Sequence, residues 1–257
     1  MKVELLPSSF GNGGSASQRQ HLTCFLIDDI VSVDAGSLGL AASDAQRESV
    51  RDVVITHAHL DHIAGLPLFI DDLFSQLESP VVVYAIQDVI DILERDVFNW
   101  SVYPRFSELT NQHGAVMRYQ PIPVGGTFSV KHLTFSEIEV NHKVPNSGFV
   151  IDDGSSRIAL TGDTAEMDGF WDAIDAFAPL DALLIECAFP DEMSELADVS
   201  HHLTPSQLNR ELEKFKQDCP IYAINLKPTY REAIVRQLDT LAIPRLSVME
   251  SRRTYEW

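Results

Sequence analysis

Short apolar runs, bounded by Gly, Pro, Asp or Asn, recur along the whole chain. Their Val, Ile, Leu and Phe content and their brevity predict buried strands over 22–27, 31–35, 52–56, 81–85, 133–140, 148–153, 157–162, 182–187 and 220–225. Apolar positions three and four apart predict helices over 67–77, 86–96, 169–178, 204–216 and 229–242. The fourth helix carries a start signal, with Thr204 as N-cap and Pro205 in the first helical position. Strands come in groups with helices after them. A mixed two-sheet core with outer helices fits this order better than strict strand–helix alternation. No repeat, low-complexity tract or long linker interrupts the pattern, so a single domain over 1–257 is expected.

Composition narrows the partners. With 45% hydrophobic and 22% charged residues, the chain is globular rather than disordered. Lys plus Arg number 19 against 38 Asp plus Glu, a formal net charge of −19. A surface this acidic repels phosphate backbones and anionic lipid, which excludes bulk nucleic acid and membranes as partners. A small anion stays compatible, because a bound metal inverts the local field. Three cysteines, Cys24, Cys187 and Cys219, form no disulfide framework. The opening MKVELLPSSFGNGG has no apolar signal core, and no apolar run is long enough to span a bilayer. A cytoplasmic location is expected.

The chemistry concentrates at Thr56-His57-Ala58-His59-Leu60-Asp61-His62, directly after the predicted strand over 52–56. Three imidazoles and a carboxylate in one short turn are costly to hold together, because protonated imidazoles repel and buried polar groups need partners. A divalent metal resolves the conflict, since neutral imidazole and carboxylate are its donors. His57 and His59 are spaced to share one ion, and Asp61 and His62 to face a second. Further ligands must come from elsewhere. The candidates are His21, His113, His132, His142, His201, His202 and acids at strand ends. His142 follows an alternating strand, Asp163 follows ALTG, and His201 and His202 precede the Thr204 cap. Taken alone, Asp163 could cap a turn and one of the paired histidines could be a surface residue.

Taken together, THAHLDH, the later His142, the GDT aspartate and the HLT histidine resemble the metallo-β-lactamase superfamily. The resemblance covers nearly the whole chain. GNGG near residue 11 and SVDAG ending at Gly36 are similar to the family's opening hairpin, and NHKVPNSGFVI to the segment carrying its third histidine. It implies a four-layer αββα sandwich of two mixed β-sheets flanked by helices, with a dinuclear metal site. It assigns His57, His59 and His142 to one ion, and Asp61, His62 and His202 to the other, with Asp163 bridging. Asp34 matches the acid that braces the histidine loop from behind. Zinc is the first choice of metal, with manganese or iron as alternatives.

Within the superfamily, HAHLDHIAGLPLF, VFNWSVYPRF, IECAFPDE and HHLTP resemble segments of the class II cyclic nucleotide phosphodiesterases. That branch is related to ribonuclease Z, whose basic tRNA-holding arm has no counterpart here. Ile70-Asp71 and His201 depart from the phosphodiesterase pattern. The resemblance implies hydrolysis of a 3′,5′-cyclic nucleotide (cAMP or cGMP) by a hydroxide shared between the ions, oriented by Asp61. Glu186 is expected to support the site. Trp100 and Tyr103 are expected to hold the base, and Asn146, Ser147 and His201 the sugar-phosphate side. Each has a plainer reading as lid packing, turn or surface. The resemblance is compatible with a homodimer, since related hydrolases often dimerise, and the residues themselves do not specify the assembly. The rival functions are a ribonuclease Z-like or other hydrolase of the same fold (cyclic dinucleotide, thioester or sulfate ester), and a metal-dependent sensor without turnover.

Overall fold

The computed structural model describes residues 1–11 and 14–257, so Asn12 and Gly13 of the GNGG segment lie outside the described residues. The chain divides into two compact units. An N-terminal unit comprises Lys2–Pro123 with Ser251–Glu256, and a C-terminal unit comprises Val124–Glu250 with Met1 and Trp257.

In the N-terminal unit seven strands form one mixed sheet. Their order is Thr254–Glu256, Lys2–Leu5, Phe25–Ile27, Val31–Val33, Asp52–Val54, Val81–Ala85 and Met117–Pro121. The first four pair antiparallel, and Val31–Val33 onward pair parallel. Every residue of the strands Val31–Val33 and Asp52–Val54 is buried, as expected when both faces of a parallel run are covered. In register, Val33 stands opposite Val54 and Val54 opposite Tyr84. The segments that leave these strands therefore emerge at one edge.

The C-terminal unit repeats the plan. Its seven-stranded sheet runs Leu246–Val248, Ile221–Ile224, Ala182–Glu186, Arg157–Leu160, Ser147–Asp152, Leu133–Glu139 and Thr127–Val130. The first four strands are parallel and the rest antiparallel. Helices Phe170–Asp175, Pro205–Leu212 and Arg231–Leu241 contribute Phe170, Trp171, Leu208, Ile234 and Leu238 to its apolar core. Two large mixed sheets with helices are the α/β architecture expected from the pattern. Among the described residues no helix is long and apolar enough to cross a membrane.

Each predicted strand segment overlaps an observed strand, and 81–85 matches Val81–Ala85 end to end. The Thr204 cap is present as a reciprocal capping box with Gln207, followed by Pro205. Boundaries differ where local geometry intervenes. The helix predicted over 67–77 starts at Gly65 and ends at Leu73, with Pro67 tolerated in its first turn. The helix predicted over 86–96 is α-helical only over Gln87–Ile92 and continues as a π-helical turn, Leu93–Val97. The strands that the pattern does not predict include Met117–Pro121, Thr127–Val130, Leu246–Val248 and Thr254–Glu256. These are the sheet edges, where polar residues blur the apolar signal.

Candidate functional site

In the N-terminal unit the buried strand Asp52–Val54 delivers Thr56 and His57 to the carboxyl edge of the sheet, both fully buried. His59 then becomes the N-cap of a short helix, Leu60–Ile63, which carries Asp61 and His62. Asp34 leaves the neighbouring strand Val31–Val33 with φ +57°, a left-handed conformation that Asp tolerates better than most residues. It is buried, and its carboxylate accepts the Thr56 N–H at 2.9 Å and the Thr56 hydroxyl at 3.0 Å. Its other oxygen lies 2.6 Å from His62 Nδ1. That contact puts the His62 proton on Nδ1 and leaves the lone pair on Nε2. Thr56 Oγ1 lies 3.0 Å from His57 Nδ1, which fixes that ring the same way. His57 Nε2 faces His59 Nδ1 at 3.1 Å. Two nitrogens on a tetrahedral zinc stand about 3.3–3.4 Å apart, given Zn–N bonds of about 2.0–2.1 Å. The pair thus has the chemistry and the spacing of two donors on one cation.

Close backbone approach makes this possible. A Cβ on Gly36 would sit 2.0 Å from the Asp61 carbonyl oxygen, and one on Gly65 would sit 2.5 Å from the Ala35 carbonyl. The Asp61 and His62 carbonyls accept from Thr23 and Ala35 N–H, both at 2.7 Å, and lock the loop in place.

The C-terminal unit gathers a second cluster at the carboxyl ends of its parallel strands, where α/β folds place their ligands. Asp163 follows Arg157–Leu160, Glu186 ends Ala182–Glu186, and His202 follows helix Ser194–Ser200. All three are buried and offer donor atoms within 4.8 Å of one another. Glu186 hydrogen-bonds His202 Nδ1 and accepts the N–H groups of Thr164 at 3.1 Å and Leu203 at 3.2 Å. Burial pushes the Glu186 carboxyl up to about 7, against the pull of His202. Burial alone would lower the His202 pKa, but Glu186 and Asp163 more than offset it, and the net shift is upward. His142, half-buried after Leu133–Glu139, turns Nδ1 toward the His201 carbonyl at 3.0 Å, and its ring lies 5.2 Å from that of His202.

The other expected site residues fall as follows. Asn146 is buried and donates through Nδ2 to the Asp163 backbone carbonyl at 2.6 Å. Ser147 is fully buried and donates its hydroxyl to Glu137 at 2.8 Å. His201 takes φ +56° and turns Nδ1 to Asn141 Oδ1 at 3.0 Å. Trp100 is 57% exposed, at φ +68°, in a loop held by Asn99 Oδ1, which accepts from Ser101 and Val102 N–H. Tyr103 is half-buried, with its hydroxyl 3.2 Å from Asp71 and its ring against Phe106. Cys187 is buried, and burial holds its thiol far above the ordinary range.

Sequence reasoning passed over three polar partners. Thr56 links Asp34 to His57, Asn141 joins His201 to the Glu166 carbonyl, and Asn225 donates to Asp163 Oδ1 at 2.5 Å. The usable signal for Asn225 was its place directly after an apolar strand, the position that Asp163 also takes near the end of its own.

Known proteins supply an independent comparison. A Beta-lactamase superfamily domain matches residues 25–220. A probable 3′,5′-cyclic-nucleotide phosphodiesterase of Yersinia pestis is 27% identical over 214 residues, or 72% of this chain. The chain spans only 60% of that relative's length. A 3′,5′-cyclic-nucleotide phosphodiesterase of Aliivibrio fischeri is 26% identical over 240 residues, covering 76% of this chain and 71% of the relative. The crystal structure of unliganded yeast PDE1 shares the fold at a TM-score of 0.77 and 17% identity, with 98% of each chain covered. The domain match takes in most of the chain and the fold agrees with it, so the chain belongs to the metallo-β-lactamase superfamily of hydrolases.

Proposed function

We propose that this chain is a metal-dependent phosphodiesterase acting on 3′,5′-cyclic nucleotides. The observation that carries the reading is the pair of donor clusters, each braced by a buried carboxylate: Asp34 on His62, and Glu186 on His202. The names of the relatives supply the substrate class. The two units are taken as parts of the single hydrolase domain expected over 1–257, since the domain match runs through both.

His57, His59, Asp61, His62, His142, Asp163 and His202 are the proposed metal ligands, with places for two divalent ions, zinc first and manganese or iron as alternatives. Bound there, divalent ions neutralise phosphoryl charge and bring the pKa of a coordinated water down to about 7. The Asp61 carboxylate orients the attacking water and accepts its proton. Glu186 holds the His202 ring through Nδ1, which leaves Nε2 as the nitrogen to face a cation. Trp100 offers the base an exposed aromatic face, with Tyr103 beside it, and stacking there contributes about 1–3 kcal/mol. His201 and Asn146 make up the polar side for sugar and phosphate, Asn146 acting through the Asp163 backbone that it holds, whereas Ser147, expected there too, is fully buried with its hydroxyl on Glu137 and has no face for substrate.

Metal analysis of the purified protein, paired with hydrolysis of cAMP, cGMP, a cyclic dinucleotide and a generic aryl phosphodiester, tests this. Bound metal and cyclic-nucleotide turnover are expected, with His59→Ala lowering kcat/KM by about a thousandfold or more. Cleavage of the generic diester alone would leave the metals and overturn the substrate. Bound metal without any turnover would favour the sensor reading, and absence of both metal and turnover would overturn the enzyme.

A further inference from the structure

Asp163 is 1% exposed, and its two carboxylate oxygens have different surroundings. Oδ1 accepts from Asn225 Nδ2 at 2.5 Å. Oδ2 lies 3.9 Å from His202 Nδ1. The Asp163 backbone carbonyl accepts from Asn146 Nδ2. Two amides therefore pin this residue, one through its backbone and one through its side chain.

The position of Asn225 is set by the sheet. It follows Ile221–Ile224, which runs parallel to Ala182–Glu186 with Ile224 opposite Glu186. The Cys187 N–H donates to the Ile224 carbonyl at 3.0 Å. Asn225 takes φ +58°, in the left-handed region where asparagine is better tolerated than most residues.

A carboxylate can serve two cations by offering one oxygen to each, and that arrangement needs both oxygens of Asp163 open. A cation on Oδ1 of Asp163 would meet the Asn225 amide nitrogen, a donor with partial positive charge and no lone pair to give. Either the cation forgoes Oδ1, or the amide turns over and presents a neutral carbonyl oxygen. Carbonyl oxygen suits hard ions such as Mg²⁺ or Mn²⁺ better than zinc.

We infer that Asn225 makes the two oxygens of Asp163 unequal toward metal, so that the chain holds one divalent ion tightly and a second weakly. The inference rests on the metallohydrolase reading above and refines it. Asn225 acts here as a positioning residue, through Asp163.

The full chain, stripped of metal, is titrated with Zn²⁺ by calorimetry, and the metal that survives dialysis is counted. The wild type is expected to keep one tight equivalent. Asn225→Asp replaces the amide nitrogen with an anionic oxygen and should tighten the second equivalent by about tenfold or more. Asn225→Gly accepts the same φ without strain, removes the amide from Oδ1, and should move the second equivalent the same way. Circular dichroism verifies that both variants fold. Two equal tight equivalents in the wild type, or no change in either folded variant, overturn the inference. Turnover alongside two equal equivalents overturns it while leaving the phosphodiesterase reading intact, whereas a wild type that retains no metal overturns both.

Discussion

Asp34 and Glu186 do the same job in the two clusters. Each is buried, each accepts two or more hydrogen bonds, and each fixes which nitrogen of an imidazole carries the proton. They differ in electrostatics. The Glu186 carboxyl rises from 4.5 to about 7, and His202 also rises from its ordinary 6.5. Both shifts mean that the folded, metal-free chain holds protons that the unfolded chain releases. The stability they contribute is complete below pH 4.5 and is lost as the pH climbs through about 7. The metal-free protein is thus expected to lose denaturant stability over that interval. Metal removes the dependence, because a cation replaces the proton. Chemical denaturation across pH, with and without chelator, checks this. A slope that persists unchanged in Glu186→Gln would place its origin elsewhere.

Elements position these residues through shared edges. In each unit neighbouring parallel strands end level: Val33 with Val54 in the first, and Glu186 with Ile224 in the second, where Leu160 stops opposite Leu184, two residues short. The chain spends its polar and conformationally unusual residues just beyond. The loop after Val31–Val33 can reach the histidine loop only because Gly36 has no side chain. Gly36→Ala puts a methyl 2.0 Å from the Asp61 carbonyl and is expected to cost about 1–3 kcal/mol, with weaker metal uptake. Gly169→Ala is the control, since its methyl meets nothing within 4 Å, and it should melt close to the wild type. Equal melting temperatures for the two variants would mean that the loop relaxes freely. The π-helical turn Leu93–Val97 belongs to the same scale, because it redirects the chain into the loop that carries Trp100.

For the whole molecule, a net charge of −19 opposes the approach of an anionic cyclic nucleotide. Raising ionic strength shortens the Debye length to about 10 Å at 0.1 M and screens that repulsion, so kcat/KM should increase with moderate salt. A decrease would show that the field at the site itself is attractive and outweighs the net charge. What could be read from the amino acids alone follows from locality. His57, His59, Asp61 and His62 lie within six residues of one another, and the strands before them are continuous apolar runs. Spacing and periodicity were therefore enough to expect metal ligands after buried strands in a two-sheet core. The edge strands escaped because exposed, polar positions carry no such signal. The partners escaped for a different reason. Thr56 meets Asp34 across 22 residues, Asn141 meets His201 across 60, and Asn225 meets Asp163 across 62. Only strand register decides such pairs. An asparagine after a strand reads as a turn residue until the parallel pairing sets it beside a carboxylate, and hydrogen bonds between residues so far apart exist only once the sheet has formed.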